Sequence, residues 1–178
     1  MSAARQTGWH ENLIGASSAM RSWLLNAGSL THRITQRCAD FAVREIYERD
    51  AHPLVDETHI AGVGRKQHAL LRDVYLYCGN TPVVFAHSVL PYSSLVGRWA
   101  QLKRLGSRPL GSALFVHPQV RRQSLQFKKI DLRHPLYPRA WVKTRHTAPD
   151  LWARRSLFSL ATQQILVTEV FLPDILTL

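Results

Sequence analysis

Apolar residues alternate in some stretches of the chain and recur every three or four positions in others, and these two periods divide it into elements. Residues 1–17 mix Ser, Gly, Ala and polar residues with neither period, and read as a mobile lead-in to one domain over 18–178. From Ser18 onward Met20, Trp23, Leu24 and Leu30 recur at helical spacing, with Ser17 or Ser18 as N-cap, which predicts an amphipathic helix ending near Gly28. ADFAVREIYER at 39–49 leans toward a strand, and 51–68, with Pro53, Gly62 and Gly64, reads as loop. The clearest local signal is ALLRDVYLYC at 69–78, GNTP at 79–82 and VVFAHSVLP at 83–91, two β-branched and aromatic runs around a turn, which predicts an antiparallel hairpin. Leu95, Trp99, Leu102 and Leu105 share a face and predict a helix over 94–105; QSLQFKKID at 123–131 alternates as a strand; 133–150 reads as an irregular, proline-containing surface loop. RRSLFSLA at 154–161, a polar turn at 162–164 and ILVTEVFLP at 165–173 predict a second hairpin. The sum is an α+β domain with about six mostly antiparallel strands and helices covering one face of the sheet.

Composition narrows the class. A chain of 178 residues that is 46% hydrophobic is enough for one packed core, which excludes whole-chain disorder. The N-terminus lacks an apolar run of signal-peptide length and no stretch reaches membrane-span length, so a soluble cytoplasmic protein is expected, and a monomer. Cys38 and Cys78 lie 40 residues apart with no CxxC and no His pair at metal-ligand spacing, so two buried free thiols are expected and no metal. The net charge of +11 is uneven: residues 98–145 hold twelve Lys and Arg against one acid, Asp131, while the rest of the chain balances.

Strand parity then singles out charges that point the wrong way. Arg72 shares a face with Val74, Leu76 and Cys78, the apolar set of the first hairpin. Glu169 lies between apolar neighbours on both faces of the last strand, where an ionised carboxylate costs several kcal/mol unless it is compensated. Two readings follow: an internal Arg72–Glu169 ion pair that holds the sheet, or two groups facing a cavity for a small polar ligand. Arg154 and Arg155 point to opposite faces of their strand, so at most one is expected to look inward.

WLLNAGSLTHR at 23–33, LLRDVYLYC at 70–78, FAHSVLPYSSL at 85–95, LGSRPLGSALF at 105–115, LWARRSLFSL at 151–160 and ILVTEVFLP at 165–173 together resemble the chorismate pyruvate-lyase (4-hydroxybenzoate synthase) family, in order along nearly the whole folded chain. The resemblance implies a compact α+β fold with a six-stranded antiparallel sheet and a buried ligand site. It also implies cofactor-free conversion of chorismate to 4-hydroxybenzoate and pyruvate, the entry reaction of ubiquinone synthesis in many bacteria. It places Arg72 at the arginine holding the ring carboxylate and Glu169 at the glutamate meeting the ring hydroxyl. It puts Leu30 and Leu110 at positions that contact the ligand. Where some members carry a second arginine, this chain has His87, a weaker anchor for the pyruvyl carboxylate because it is charged only at mildly acidic pH. His87, Arg154 and Arg155 are the candidates for the second cationic donor.

Other classes are weighed against this one. A non-catalytic small-carboxylate-binding domain, like the effector domains of a group of bacterial transcription regulators, shares the expected fold, but 1–17 is too short for a helix-turn-helix. Specific nucleic-acid binding is not expected, because the basic segment lacks a recognition motif. Its charge is expected to act at the surface, drawing in an anionic substrate or making a weak contact with anionic membrane lipid, with the chemistry elsewhere.

Overall fold

The structure, a computed structural model, describes residues 8–141 and 148–178. In chain order the elements are α1 (Ser18–Leu24), α2 (Leu30–Thr35), β1 (Phe41–Ala51), α3 (Val55–Thr58), β2 (Ala69–Cys78), β3 (Thr81–Leu90), 3-10 turns at Tyr92–Ser94 and Gly97–Arg104, α4 (Leu110–Val116), β4 (Arg121–Arg122), β5 (Gln126–Ile130), α5 (Leu136–Trp141), β6 (Leu151–Leu160), β7 (Gln163–Phe171) and a last 3-10 turn, Pro173–Thr177. No helix among the described residues is long and apolar enough to cross a membrane.

Both predicted hairpins form, β2–β3 and β6–β7, and they join along β3–β7 at the centre of one seven-stranded antiparallel sheet ordered β1-β2-β3-β7-β6-β4, with β5 also pairing β6. The strand count is one above the expected six, β4 being a two-residue edge piece. Register sets the faces. Arg72 sits opposite Ser88, Ser88 opposite Val167, and Val167 opposite Ser156, so these four share one face with Val74, Ala86, Glu169 and Arg154 in the neighbouring row.

Helices α1 and α2 pack Met20, Trp23, Leu24, Leu30 and Ile34 on that face against Val74, Leu76, Val84 and Phe171. The apolar pattern from Met20 to Leu30 therefore spans two helices. Ser17 caps α1 by accepting from the Met20 amide, and Ser29 caps α2 by accepting from that of His32. The opposite face is covered as well, by Trp9, by α5 through Leu136, Tyr137 and Ala140, and by the chain after α3 through Ala61 and Val63.

That second layer explains three departures from the sequence reading. Residues 8–17, expected to be mobile, are held down: Trp9 is buried, its Nε1 donates to Asp56 at 2.8 Å, and His10 forms a β-bridge with Phe127. Residues 1–7 of the expected lead-in lie outside the described residues. Within 133–150 the chain forms α5, where Pro138 sits in the first turn and so forfeits an N–H that has no intrahelical acceptor; residues 142–147 lie outside the described residues. Arg155 is buried like Arg154 rather than surface-exposed, because both faces of β6 are covered.

Over 94–105 the expected apolar face is present, with Leu95, Trp99, Leu102 and Leu105 buried, but as 3-10 turns rather than an α-helix. Cys38 and Cys78 are disulfide-bonded, not free, with Cα atoms 5.8 Å apart. The pairing of Phe41 with Cys78 at the start of β1 brings the residue just after α2 beside the end of β2, at a separation that a disulfide spans. A spacing of 40 residues in sequence holds no trace of that approach.

Candidate active site

Between the sheet and the N-terminal ends of α2 and α4 lies a cavity with about 530 Å³ of space not filled by atoms, its open mouth included. Its floor is Val74, Leu76, Ala86, Ser88 and Val167; its walls include Leu30, Leu110, Leu114 and Phe158. Three charged side chains, Arg72, Glu169 and Arg122, reach into this largely apolar lining, the pattern of a small-ligand site in which a few polar groups fix orientation.

Arg72 on β2 is buried yet cationic. Its Nη2 donates to the carbonyl oxygens of Gly106 at 2.9 Å and Arg108 at 3.2 Å, and its Nε to Glu48 on β1 at 3.2 Å. Nη1 has no hydrogen-bond partner among the described residues. Burial pulls the Arg72 pKa below the ordinary arginine value, with the Glu48 carboxylate pulling it back. The turn before α4 thus serves as a clamp that fixes the guanidinium and leaves Nη1 as its one nitrogen not engaged by a hydrogen bond among the described residues.

Glu169 on β7 is two strands from Arg72 and one side-chain row along. Two strand spacings of about 4.8 Å and two residues of about 3.3 Å put their Cα atoms on the order of 12 Å apart, a gap that a ring with a polar group at each end can bridge. No direct ion pair joins the two. Glu169 is compensated instead by Arg154, whose Nε donates to Oε2 at 2.5 Å, and by Arg122, whose Nη2 lies 3.9 Å from the same oxygen. Oε1 has no hydrogen-bond partner among the described residues, and the side chain keeps 15% exposure. Arg154 is anchored from behind by the carbonyls of Trp23, Leu24 and Asn26 around the end of α1.

No periodicity in the sequence marks Arg122. It lies inside the basic segment whose charge was expected to act at the surface, on a strand of two residues too short for any alternation to show. Its Nε donates to Ser156 Oγ at 2.7 Å and its Nη1 to the Ala27 carbonyl at 2.9 Å. Burial lowers its pKa to about 10, against an upward pull from Glu169, with Arg154 adding to the lowering.

Leu30 and Leu110 both line the cavity, each as the first residue of its helix, positions whose N–H has no intrahelical acceptor. The two helix ends meet at Gly111, where an added Cβ would lie 3.5 Å from Thr31 Oγ1 and 3.7 Å from Ser29 Oγ. The structure therefore brings together Arg72, Glu169, Leu30 and Leu110.

It does not bring His87 to them. Asp73, not Arg72, sits opposite His87, which places the histidine on the other face of the sheet. There it is fully buried, with Nδ1 2.5 Å from Asp73 Oδ1 and Nε2 3.2 Å from Glu57 Oε2. Arg139 and Arg49 also bond Asp73. Burial alone would raise the Glu57 pKa, but the His87 ring, the Leu54 amide and Arg155 outweigh it and leave the carboxyl below its ordinary value. Arg155 shares this face, donating to Gln126 and Asp56. His87 and Arg155 are thus removed as candidates for a ligand contact in the cavity.

A single antiparallel sheet, covered on both faces and enclosing under α2 and α4 a cavity lined by two arginines and one glutamate, defines an α+β fold with a candidate site for a small polar ligand. Solved structures share that fold: the C-terminal domain of PhnF, with a TM-score of 0.55 at 13% identity over 76% of this chain and 83% of that one, and the ligand-binding domain of a GntR-family transcriptional regulator from Bordetella bronchiseptica, with 0.53 at 12% over 76% and 87%. At such identities the likeness is one of fold. Sequence carries the assignment further. The chorismate lyase family model matches residues 5–177. The chain is 49% identical to a probable chorismate pyruvate-lyase of Nitrosospira multiformis over 100% of its own length and 99% of the relative's. It is 46% identical to one of Nitrosomonas europaea over 94% of each. The chain belongs to the chorismate lyase family.

Proposed function

We propose that this protein eliminates pyruvate from chorismate to give 4-hydroxybenzoate, in the cavity between Arg72 and Glu169 and with no cofactor, and so supplies the aromatic precursor of ubiquinone in the cytoplasm. The observation that carries the reading is the pairing of unspent groups across the cavity in a chain of this family: Arg72 Nη1 on one side and Glu169 Oε1 two strands away.

The substrate is a dianion whose ring becomes aromatic when the bond from C3 to the ether oxygen breaks and the C4 hydrogen is lost as a proton. The ether electron pair leaves with enolpyruvate, which takes up a proton to become pyruvate, so the atoms balance without a redox step. Aromatisation makes the reaction strongly downhill, so orientation and charge stabilisation are what the protein supplies. Arg72 holds the ring carboxylate. Glu169, fixed through Oε2 by Arg154, presents Oε1 to the ring hydroxyl on C4, the carbon that gives up the proton. Leu30 and Leu110 close the walls and exclude water from a ring that would otherwise be solvated.

Incubation of the purified protein with chorismate alone, followed by product identification, tests the reading. Stoichiometric pyruvate and 4-hydroxybenzoate are expected; a wild-type protein that yields neither contradicts it.

A further inference from the structure

Resting on the reading above, we propose that Arg122 binds the enolpyruvyl carboxylate of the substrate. Charge accounting within the cavity points to it first. Arg72 has Glu48 at hydrogen-bond distance and Arg154 has Glu169, whereas the carboxylate beside Arg122 is 3.9 Å away, beyond hydrogen-bond reach. Arg122 is nevertheless well shielded, its side chain 13% exposed, against the edge-to-face pair of Phe115 and Phe158, whose ring centres lie 5.6 and 5.3 Å from it. A shielded cation without a bonded counter-ion calls for an anion.

Geometry points the same way. Ser156 and the Ala27 carbonyl hold Nε and Nη1 and fix the plane of the guanidinium, so Nη2 is the donor left over, beside Glu169 on the cavity side. The ring hydroxyl and the ether oxygen sit on adjacent carbons of the substrate. If Glu169 meets the hydroxyl, the carboxylate at the end of the ether chain falls next to Glu169, where Nη2 stands. Arg72 is at the far side: Arg72 and Ser156 are three strands apart in one row, on the order of 14 Å between Cα atoms. The two arginines thus bracket the cavity floor, and a dianion fits between them.

The competing cations are excluded by position. His87 and Arg155 belong to the opposite face. Arg154 has a buried Nη2 without a partner, but it is completely buried and does not line the cavity. Placed at the leaving group, the Arg122 charge also opposes the negative charge that grows on enolpyruvate as the ether bond breaks.

Two ligands separate the contributions without any turnover: 4-hydroxybenzoate, and 3-(carboxymethoxy)-4-hydroxybenzoate, a stable aromatic that adds an ether-linked carboxylate at the neighbouring carbon. Wild-type protein is expected to bind the second at least about tenfold more tightly, the scale of one charge-assisted bond. Arg122→Gln is expected to lose that preference while its Kd for 4-hydroxybenzoate stays within about threefold of wild type, and Arg122→Lys to retain part of it. In turnover, KM for chorismate rises and kcat falls in Arg122→Gln. A wild type with no preference for the second ligand, or a preference that survives in Arg122→Gln, overturns the assignment. So does equal weakening of both ligands in Arg122→Gln and Arg122→Lys, the mark of a merely structural arginine. A wild type that shows the preference but releases no pyruvate contradicts the lyase reading and leaves the Arg122 contact standing.

Discussion

Arg72 and His87 differ by a single register position on one hairpin, and that difference decides which of them faces the cavity. Arg72→Ala should lower kcat/KM for chorismate by at least about tenfold, since it removes a fixed charge-assisted contact and leaves Glu48 unpaired, with little change in fold judged by circular dichroism. His87→Gln should instead lower the melting temperature while the pH profile of kcat/KM keeps the wild-type shape; a profile altered between pH 5.5 and 7.5 would restore His87 to the reaction. Glu57 belongs to the same buried cluster and its carboxyl titrates below the ordinary 4.5. A lowered folded pKa means that the folded state binds fewer protons than the unfolded chain. Its contribution to stability is therefore complete above about pH 4.5 and is lost as pH falls through the lower folded value. Melting curves from pH 3 to 7 should show the destabilisation in Glu57→Gln narrowing on the acid side; a gap constant with pH contradicts this. The strand pattern made Arg72 and Glu169 legible in the sequence, and the resemblance supplied Leu30 and Leu110. Parity would also have set His87 aside had the hairpin register been known, but register depends on the bulge between Leu76 and Tyr77, which alternation does not reveal.

At the scale of elements, α2 is both a cavity wall and the segment that joins the cavity to the disulfide. Leu30 opens it, Ile34 is buried in the core, and Cys38 follows its last turn to bond Cys78 at the end of β2. Removing the cross-link by Cys38→Ser should cost about 2–4 kcal/mol of stability, read as a lower denaturant midpoint. An unchanged midpoint would show that the cross-link adds nothing to the fold. The two hairpins were legible because β-branched and aromatic runs flank polar turns, and most of the apolar contacts of the helices were legible from their spacing. The elements themselves were less so. One amphipathic pattern became two helices because Ser29 supplies a second cap, and 94–105 kept its apolar face while tightening into 3-10 turns. The second covering layer leaves no periodic signal in the sequence because Trp9, α3 and α5 are short pieces, each anchored by long-range contacts.

For the whole molecule, the concentration of positive charge in 98–145 does two things at once. Lys and Arg on the outer turns give a basic surface, while Arg122 of the same segment is drawn inward to the cavity. Long-range attraction of a dianion by that surface is screened by salt. Raising ionic strength from about 0.01 to 0.3 M should therefore lower kcat/KM for chorismate with kcat nearly unchanged; a salt-independent kcat/KM would assign the surface charge another role. The central claim is that the reaction runs in the cavity beneath α2 and α4, with Glu169 at the carbon that loses its proton. Steady-state turnover of chorismate by Glu169→Gln tests it most directly, because the substitution keeps the shape and the hydrogen-bonding reach of the side chain and removes only its charge and proton affinity. A loss in kcat of at least about tenfold is predicted, and wild-type turnover in that variant would contradict the account.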